Sequence, residues 1–81
     1  MNLDSTTLTG FIVQRFSLDP AELTASTPLF SSGLLDSFHL LELISHMEEE
    51  AGIRISPGEI SLDNLDSLER ILRFVEGKLR P

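Results

Sequence analysis

Cysteine, tryptophan and tyrosine are all missing from this chain of 81 residues. Without cysteine there is no disulfide and no thiolate metal site, and any thiol chemistry needs a thiol brought from outside. Long apolar runs are missing too. No segment approaches the roughly 20 apolar residues of a membrane span, and the N-terminus lacks the basic-then-apolar pattern of a secretion signal, so a cytoplasmic protein is expected. Positive charge is scarce: six Lys and Arg stand against thirteen Asp and Glu, a formal charge of -7. A chain this poor in cations has no basic patch to neutralise phosphates, which excludes nucleic-acid binding. Strand alternation, internal repeats and low-complexity tracts are absent as well.

What the chain does contain is leucine at helical spacing and acid in the middle. Residues 1–81 are expected to form one small domain, near the size where a core is only just sufficient. From Asp19 to Asp66 ten acidic residues face Arg54 alone, and four of the six basic residues follow that span. A negative field of this kind suits the steering of a basic partner, and equally serves to keep a small protein soluble.

Apolar residues at Leu8, Phe11, Ile12 and Phe16 mark one face of a first helix, with Asp4 or Ser5 as N-cap. From Ser17 to Asp36 no period is sustained, yet Leu18, Leu23, Leu29, Phe30, Leu34 and Leu35 predict a long loop pinned to a core. Such loops are usually functional. A second helix is predicted from Ser37 to about Ala51, stopped by Gly52. Leu40, Leu43, Ile44, Met47 and Ala51 form its core face, and Phe38, Leu41, Ser45 and Glu48 a neighbouring stripe. His39, Glu42, His46 and Glu49 form a polar face expected to be solvated. Ser56-Pro57-Gly58-Glu59 carries a capping-box signature for a helix of about one turn to a turn and a half, ending before Asp63-Asn64. Leu68, Ile71, Leu72, Val75 and Leu79 lie on one face of the last helix. The expected fold is all-α, a small four-helix bundle of three longer helices and one short third helix.

Two Asp-Ser pairs stand at predicted helix starts, in G-L-L-D-S-F-H-L-L (33–41) and L-D-S-L-E-R-I (65–71). Both residue types are favoured caps, each worth about 1 kcal/mol over Ala. For the second pair capping suffices, with Asp66 and Glu69 read as a box. Ser37 differs, because it follows the longest loop and opens the most acidic helix. A phosphate ester there would face the unpaired N–H groups and the positive end of the helix dipole. From the residues alone, cap and attachment site both stay open.

The run G-L-L-D-S-F-H-L-L-E-L-I-S-H-M-E-E-E-A-G-I-R-I-S resembles the acyl carrier protein family, whose hallmark is Asp-Ser followed by an apolar residue. The likeness extends over nearly the whole chain, including T-P-L-F in the long loop. It implies that Ser37 carries 4′-phosphopantetheine, taken from coenzyme A, whose terminal thiol holds an acyl or aminoacyl cargo as a thioester. It implies Asp36 as a supporting residue, able to help bind metal while a phosphopantetheinyl transferase acts. It further implies a docking face of Phe38, Leu41, Glu42, Glu48 and Glu49 for basic patches on that transferase and on acyl or aminoacyl ligases and transferases. The family commonly has Leu and then an acidic residue after the serine, where this chain has Phe38 and His39, and Ser45 replaces a large apolar residue. The G-L-L-D-S opening looks more like carriers of specialised pathways, including D-alanyl and aminoacyl carriers loaded by an adenylating ligase.

Two rival readings belong to other classes. As an enzyme the chain lacks a nucleophile–base pair, since Ser37 and His39 diverge by about 200° on a helix. His39, Glu42 and His46 share a face, but no fourth metal ligand or supporting shell accompanies them. The other rival is a helical interaction adaptor that carries nothing. The carrier is expected to be a monomer, with no resident metal and with Met47 and the leucines as ordinary core.

Overall fold

The computed structural model describes residues 3–80, and every regular element among them is helical. Helix α1 spans Ser5–Phe16. Asp4 is its N-cap: Oδ1 accepts the N–H of Thr7 at 2.8 Å, and Thr7 Oγ1 accepts the N–H of Asp4 at 2.9 Å. Leu8 and Ile12 are buried completely, as the 3.6-residue period requires. Ser17 ends the helix with φ 55°, the left-handed conformation in which many helices terminate.

The loop from 17 to 36 is ordered by local bonds and by its leucines. Asp19 accepts the N–H of Ala21 and starts a single 3-10 turn, Pro20–Glu22, which periodicity did not indicate. Leu23, Leu29 and Leu35 are buried, and Leu18, Phe30 and Leu34 pack partly against the same core. Gly33, at φ 83°, makes the turn that brings the chain to Asp36, a backbone geometry that suits glycine.

Helix α2 spans Ser37–Ala51 and closes on Gly52 at φ 66°. Leu43, Ile44, Met47 and Ala51 are buried, with Leu40 half-buried at the edge of the same face. The short third helix is not where the S-P-G-E signature put it. Ser56 does bond to Glu59, its N–H and hydroxyl both donating to Oε1 at 2.9 and 3.1 Å, but over one 3-10 turn, Pro57–Glu59. The helix proper, α3, is Leu62–Leu65, with Ser61 as N-cap, so Asp63 and Asn64 lie inside it. A hydroxyl at Ser61 restarts the helix, which the earlier and stronger box signature obscured.

Helix α4 spans Leu68–Leu79. Leu68, Ile71 and Val75 are buried, whereas Leu79 is exposed at the helix end. Its cap is Ser67, whose Oγ accepts the N–H of Arg70 at 3.2 Å. The expected Asp66–Glu69 box does not form. Asp66 ends α3 instead, and its carboxylate turns toward the long loop. Oδ1 accepts the N–H groups of Phe30 and Ser31 at 2.7 and 3.0 Å, and Oδ2 accepts the Ser31 hydroxyl at 2.6 Å. The carbonyl of Asp66 takes the N–H of Leu29 at 2.7 Å. A buried acid is tolerated because every donor around it is aimed at it. Leu3, Leu8, Ile12, Leu29, Leu43, Met47, Leu65, Ile71 and Val75 complete the core at under 2% exposure. Each contributes about 1.5–3 kcal/mol by burial.

Candidate functional site

The two Asp-Ser pairs fold in registers that differ by one residue. At the first, Asp36 is the N-cap and Ser37 the first residue of α2. At the second, Ser67 is the N-cap and Asp66 belongs to the turn before it. The consequences for the two hydroxyls are opposite. Ser67 is 4% exposed and its Oγ is committed to Arg70. Ser37 is exposed, and its hydroxyl makes no hydrogen bond among the described residues.

Asp36 Oδ1 accepts the N–H groups of Phe38 and His39 at 3.0 and 3.1 Å. In return His39 Nδ1 accepts the N–H of Asp36 at 3.2 Å. This is a capping box in which imidazole takes the place usually filled by Glu or Gln. The His39 N–H bond, foremost, holds the Asp36 carboxyl below its ordinary pKa, so it remains an anion beside Ser37. The expectation that a phosphate would meet unpaired first-turn N–H groups is corrected here, because Asp36 already occupies those of Phe38 and His39. Ser37's own N–H is left.

An open groove of about 460 Å³ begins at Ser37. Phe30 and Leu35 from the loop, Leu40 from α2, and Leu62 and Leu65 from α3 line it. Sequence reading missed this groove, since its walls come from three segments far apart in the chain. Met47 takes no part in it and is ordinary core.

The exposed residues of α2 after Ser37 are Phe38, Leu41, Glu42, Ser45, and Glu49. Their spacing of i, i+3, i+4, i+7 makes one continuous stripe. Phe38 and Leu41 are 77% and 63% exposed, which places both off the core face.

Two of the expected docking acids are less free than their positions suggested. Glu48 Oε2 accepts the N–H of Ile55 at 2.9 Å and so ties the segment after α2 back to the helix. Glu42 receives a two-pronged contact from Arg15 of α1, Nε to Oε2 at 2.7 Å and Nη2 to Oε1 at 3.3 Å. The reading in which Arg54 alone faces these acids is therefore corrected at Glu42, whose cation comes from another helix.

The supposedly solvated face is corrected as well. His46 stacks on Phe11 with centroids 3.7 Å apart, and His39 lies against Phe16 at 4.6 Å. With Glu42 on Arg15, this side of α2 is its antiparallel seam with α1; His39 and His46 are half-buried there, while Glu42 and Glu49 stay exposed. Among the described residues no group of three His, Asp or Glu is arranged to hold a metal.

Against known proteins, residues 3–75 match the family model described as the phosphopantetheine attachment site. The chain belongs to that family. Its members carry 4′-phosphopantetheine covalently on a serine and are carriers rather than catalysts. The chain is also similar to a D-alanyl carrier protein of Abiotrophia defectiva, 31% identical over 51 residues, 63% of this chain and 65% of that protein. The aligned part thus falls just short of two thirds of the relative's length.

The geometry around Ser37 fits the family's prosthetic group. Its hydroxyl is exposed and uncommitted, it stands at a helix start, and an apolar groove opens beside it. The buried and bonded Ser67 does not fit. When attached, the group supplies the thiol that a cysteine-free chain lacks. No helix among the described residues is long and apolar enough to cross a membrane.

Proposed function

We propose that this protein is a single-domain carrier whose 4′-phosphopantetheine is attached at Ser37, and that it presents an acyl or aminoacyl group as a thioester to partner enzymes. The observation that carries this reading is the register difference between the two Asp-Ser pairs, which exposes one hydroxyl and buries the other. In the reaction with a phosphopantetheinyl transferase, Ser37 offers Oγ for the phosphate ester. Asp36, fixed by Phe38 and His39 through Oδ1, accepts no hydrogen bond on Oδ2 among the described residues and offers this anionic oxygen to a cation while the transferase acts. Phe38, Leu41, Glu42 and Glu49 form the stripe that a partner meets beside the attachment point. Glu48 contributes mainly by holding the segment that follows α2.

The cargo reading that the relative favours is D-alanyl, loaded by an adenylating ligase, and the G-L-L-D-S opening supports it. The protein works in this reading as a cytoplasmic monomer, with partners that present basic patches. The deciding experiment is intact mass spectrometry of the protein from its own cells. A phosphopantetheine increment located to the Ser37 peptide, with any cargo visible in the same spectrum, is expected. An unmodified mass, under conditions where a phosphopantetheinyl transferase is active, supports instead an adaptor that carries nothing.

A further inference from the structure

Arg15 is the only Lys or Arg in the first 53 residues, and it is spent on one acid. Its guanidinium spans both oxygens of Glu42, the paired geometry that makes Arg–carboxylate contacts specific. Glu42 lies one helical turn from Phe38, so the pair sits within the exposed stripe of α2. Both side chains stay open to solvent, at 59% and 44% exposure, and a second cation can therefore reach the carboxylate from outside.

The seam between α1 and α2 has contacts besides this pair. Phe11 on His46 and Phe16 on His39 hold it from either side. Nor is every acid of α2 treated alike: Glu49 has no ion pair among the described residues, and Glu48 serves a backbone N–H. Among the described residues, Glu42, one turn from the exposed Phe38, is the one acid of α2 covered by a cation on a flexible stem.

Resting on the carrier reading above, we propose that Arg15 is an internal competitor for partners. It occupies on Glu42 the place that an arginine or lysine of a basic partner surface takes when that surface docks along the Phe38–Glu42 stripe. Docking is then an exchange of one cation for another. The displaced Arg15 remains tethered within reach, so it competes for Glu42 throughout the life of the complex and favours release. The partner is a protein with a basic patch, because only a cation gains by displacing a cation. Arg15 acts through Glu42 and is a positioning residue of the interface.

The test is the rate at which a phosphopantetheinyl transferase, with coenzyme A and magnesium, modifies the full chain at subsaturating carrier. Wild type, Arg15→Gln, Glu42→Gln, the double variant and Arg73→Gln are compared across a salt series. Arg73→Gln changes net charge equally, on α4, and isolates the effect of overall charge. Removal of an exposed ion pair corresponds to about a two- to fivefold change. Arg15→Gln is expected to be modified faster by that factor at low salt, with the gain shrinking as salt rises and vanishing in the Glu42→Gln background. A merely structural Arg15 gives a rate that is unchanged or reduced. That result overturns the proposal, as does a gain matched by Arg73→Gln or one that persists without Glu42. Wild type that accepts no arm refutes the carrier reading itself, and this inference with it.

Discussion

Asp66 Oδ1 lies 2.7 Å from the backbone nitrogen of Phe30, a residue 36 positions earlier. This one carboxylate joins the end of α3 to the loop that forms the opposite wall of the groove at Ser37. Burial raises its pKa, but the Ser31 hydroxyl and the N–H groups of Ser31 and Phe30 outweigh burial and leave it below the ordinary value of 3.8.

Asp66→Ala strands these donors, and an unsatisfied buried partner costs about 1–3 kcal/mol. Urea unfolding should show a loss at the upper end of that range, with Asp66→Asn, which keeps one acceptor oxygen, losing less. Because the folded pKa is depressed, the stabilisation is present above the unfolded pKa and lost as pH falls through the folded one. The gap between wild type and Asp66→Asn should therefore narrow below about pH 4. A gap that widens in acid contradicts the assignment.

Ser37→Ala should fold normally and take no arm. Ser67→Ala should take the arm but lose about 1 kcal/mol, since it deletes a helix cap. Mass spectrometry after transferase treatment, paired with thermal melts, reads both. Modification surviving in Ser37→Ala places the arm elsewhere.

Phe38→Ala should change stability by no more than about 0.5 kcal/mol, as is usual for exposed positions, yet slow modification of Ser37. Leu43→Ala, in the core beneath, should cost about 2–5 kcal/mol. A core-sized loss at Phe38 in denaturant titrations would show that its ring is buried.

Glu48 and Glu49 are neighbours with different expected behaviour. Glu48→Lys frees the N–H of Ile55 and should lower stability by about 1 kcal/mol. Glu49→Lys should leave the melt unchanged and slow partner association, with the deficit shrinking in high salt. Equal effects of the two on both readouts would remove the distinction drawn between them.

Lys78 Nζ contacts both oxygens of Glu59 at 2.9 and 3.0 Å. That contact, foremost, lowers the Glu59 pKa from 4.5 to about 2. The stabilisation is complete above the unfolded pKa and disappears as pH falls toward the folded one. Melting temperatures of wild type and Lys78→Met should differ at pH 7 and converge between about pH 4.5 and 2. Parallel curves through that window would mean that the pair contributes nothing.

The three long helices were legible because their leucines, isoleucines and valines repeat at 3.6 residues, and burial follows that repeat. The cap registers were not. Asp and Ser cap equally well, and at 66–67 the choice is made by Phe30 and Ser31, which no local pattern connects to them. The seam was hidden for a similar reason: His39, Glu42 and His46 look like a solvated face until an antiparallel α1 sets Phe16, Arg15 and Phe11 against them in turn. Around the candidate site, the start of α2 at Ser37 and the exposure of Phe38 and Leu41 could be read directly. The groove and the Arg15 contact belong to tertiary structure.

Because His39 Nδ1 accepts the Asp36 N–H, the neutral ring must carry its proton on Nε2. The imidazole nitrogens are thereby a native spectroscopic label on the first turn of α2, two residues from Ser37. Their nitrogen-15 resonances report the tautomer directly. Any event at Ser37 that disturbs the turn, whether attachment, loading or capture by another protein, will be written in that spectrum without a dye or a tag.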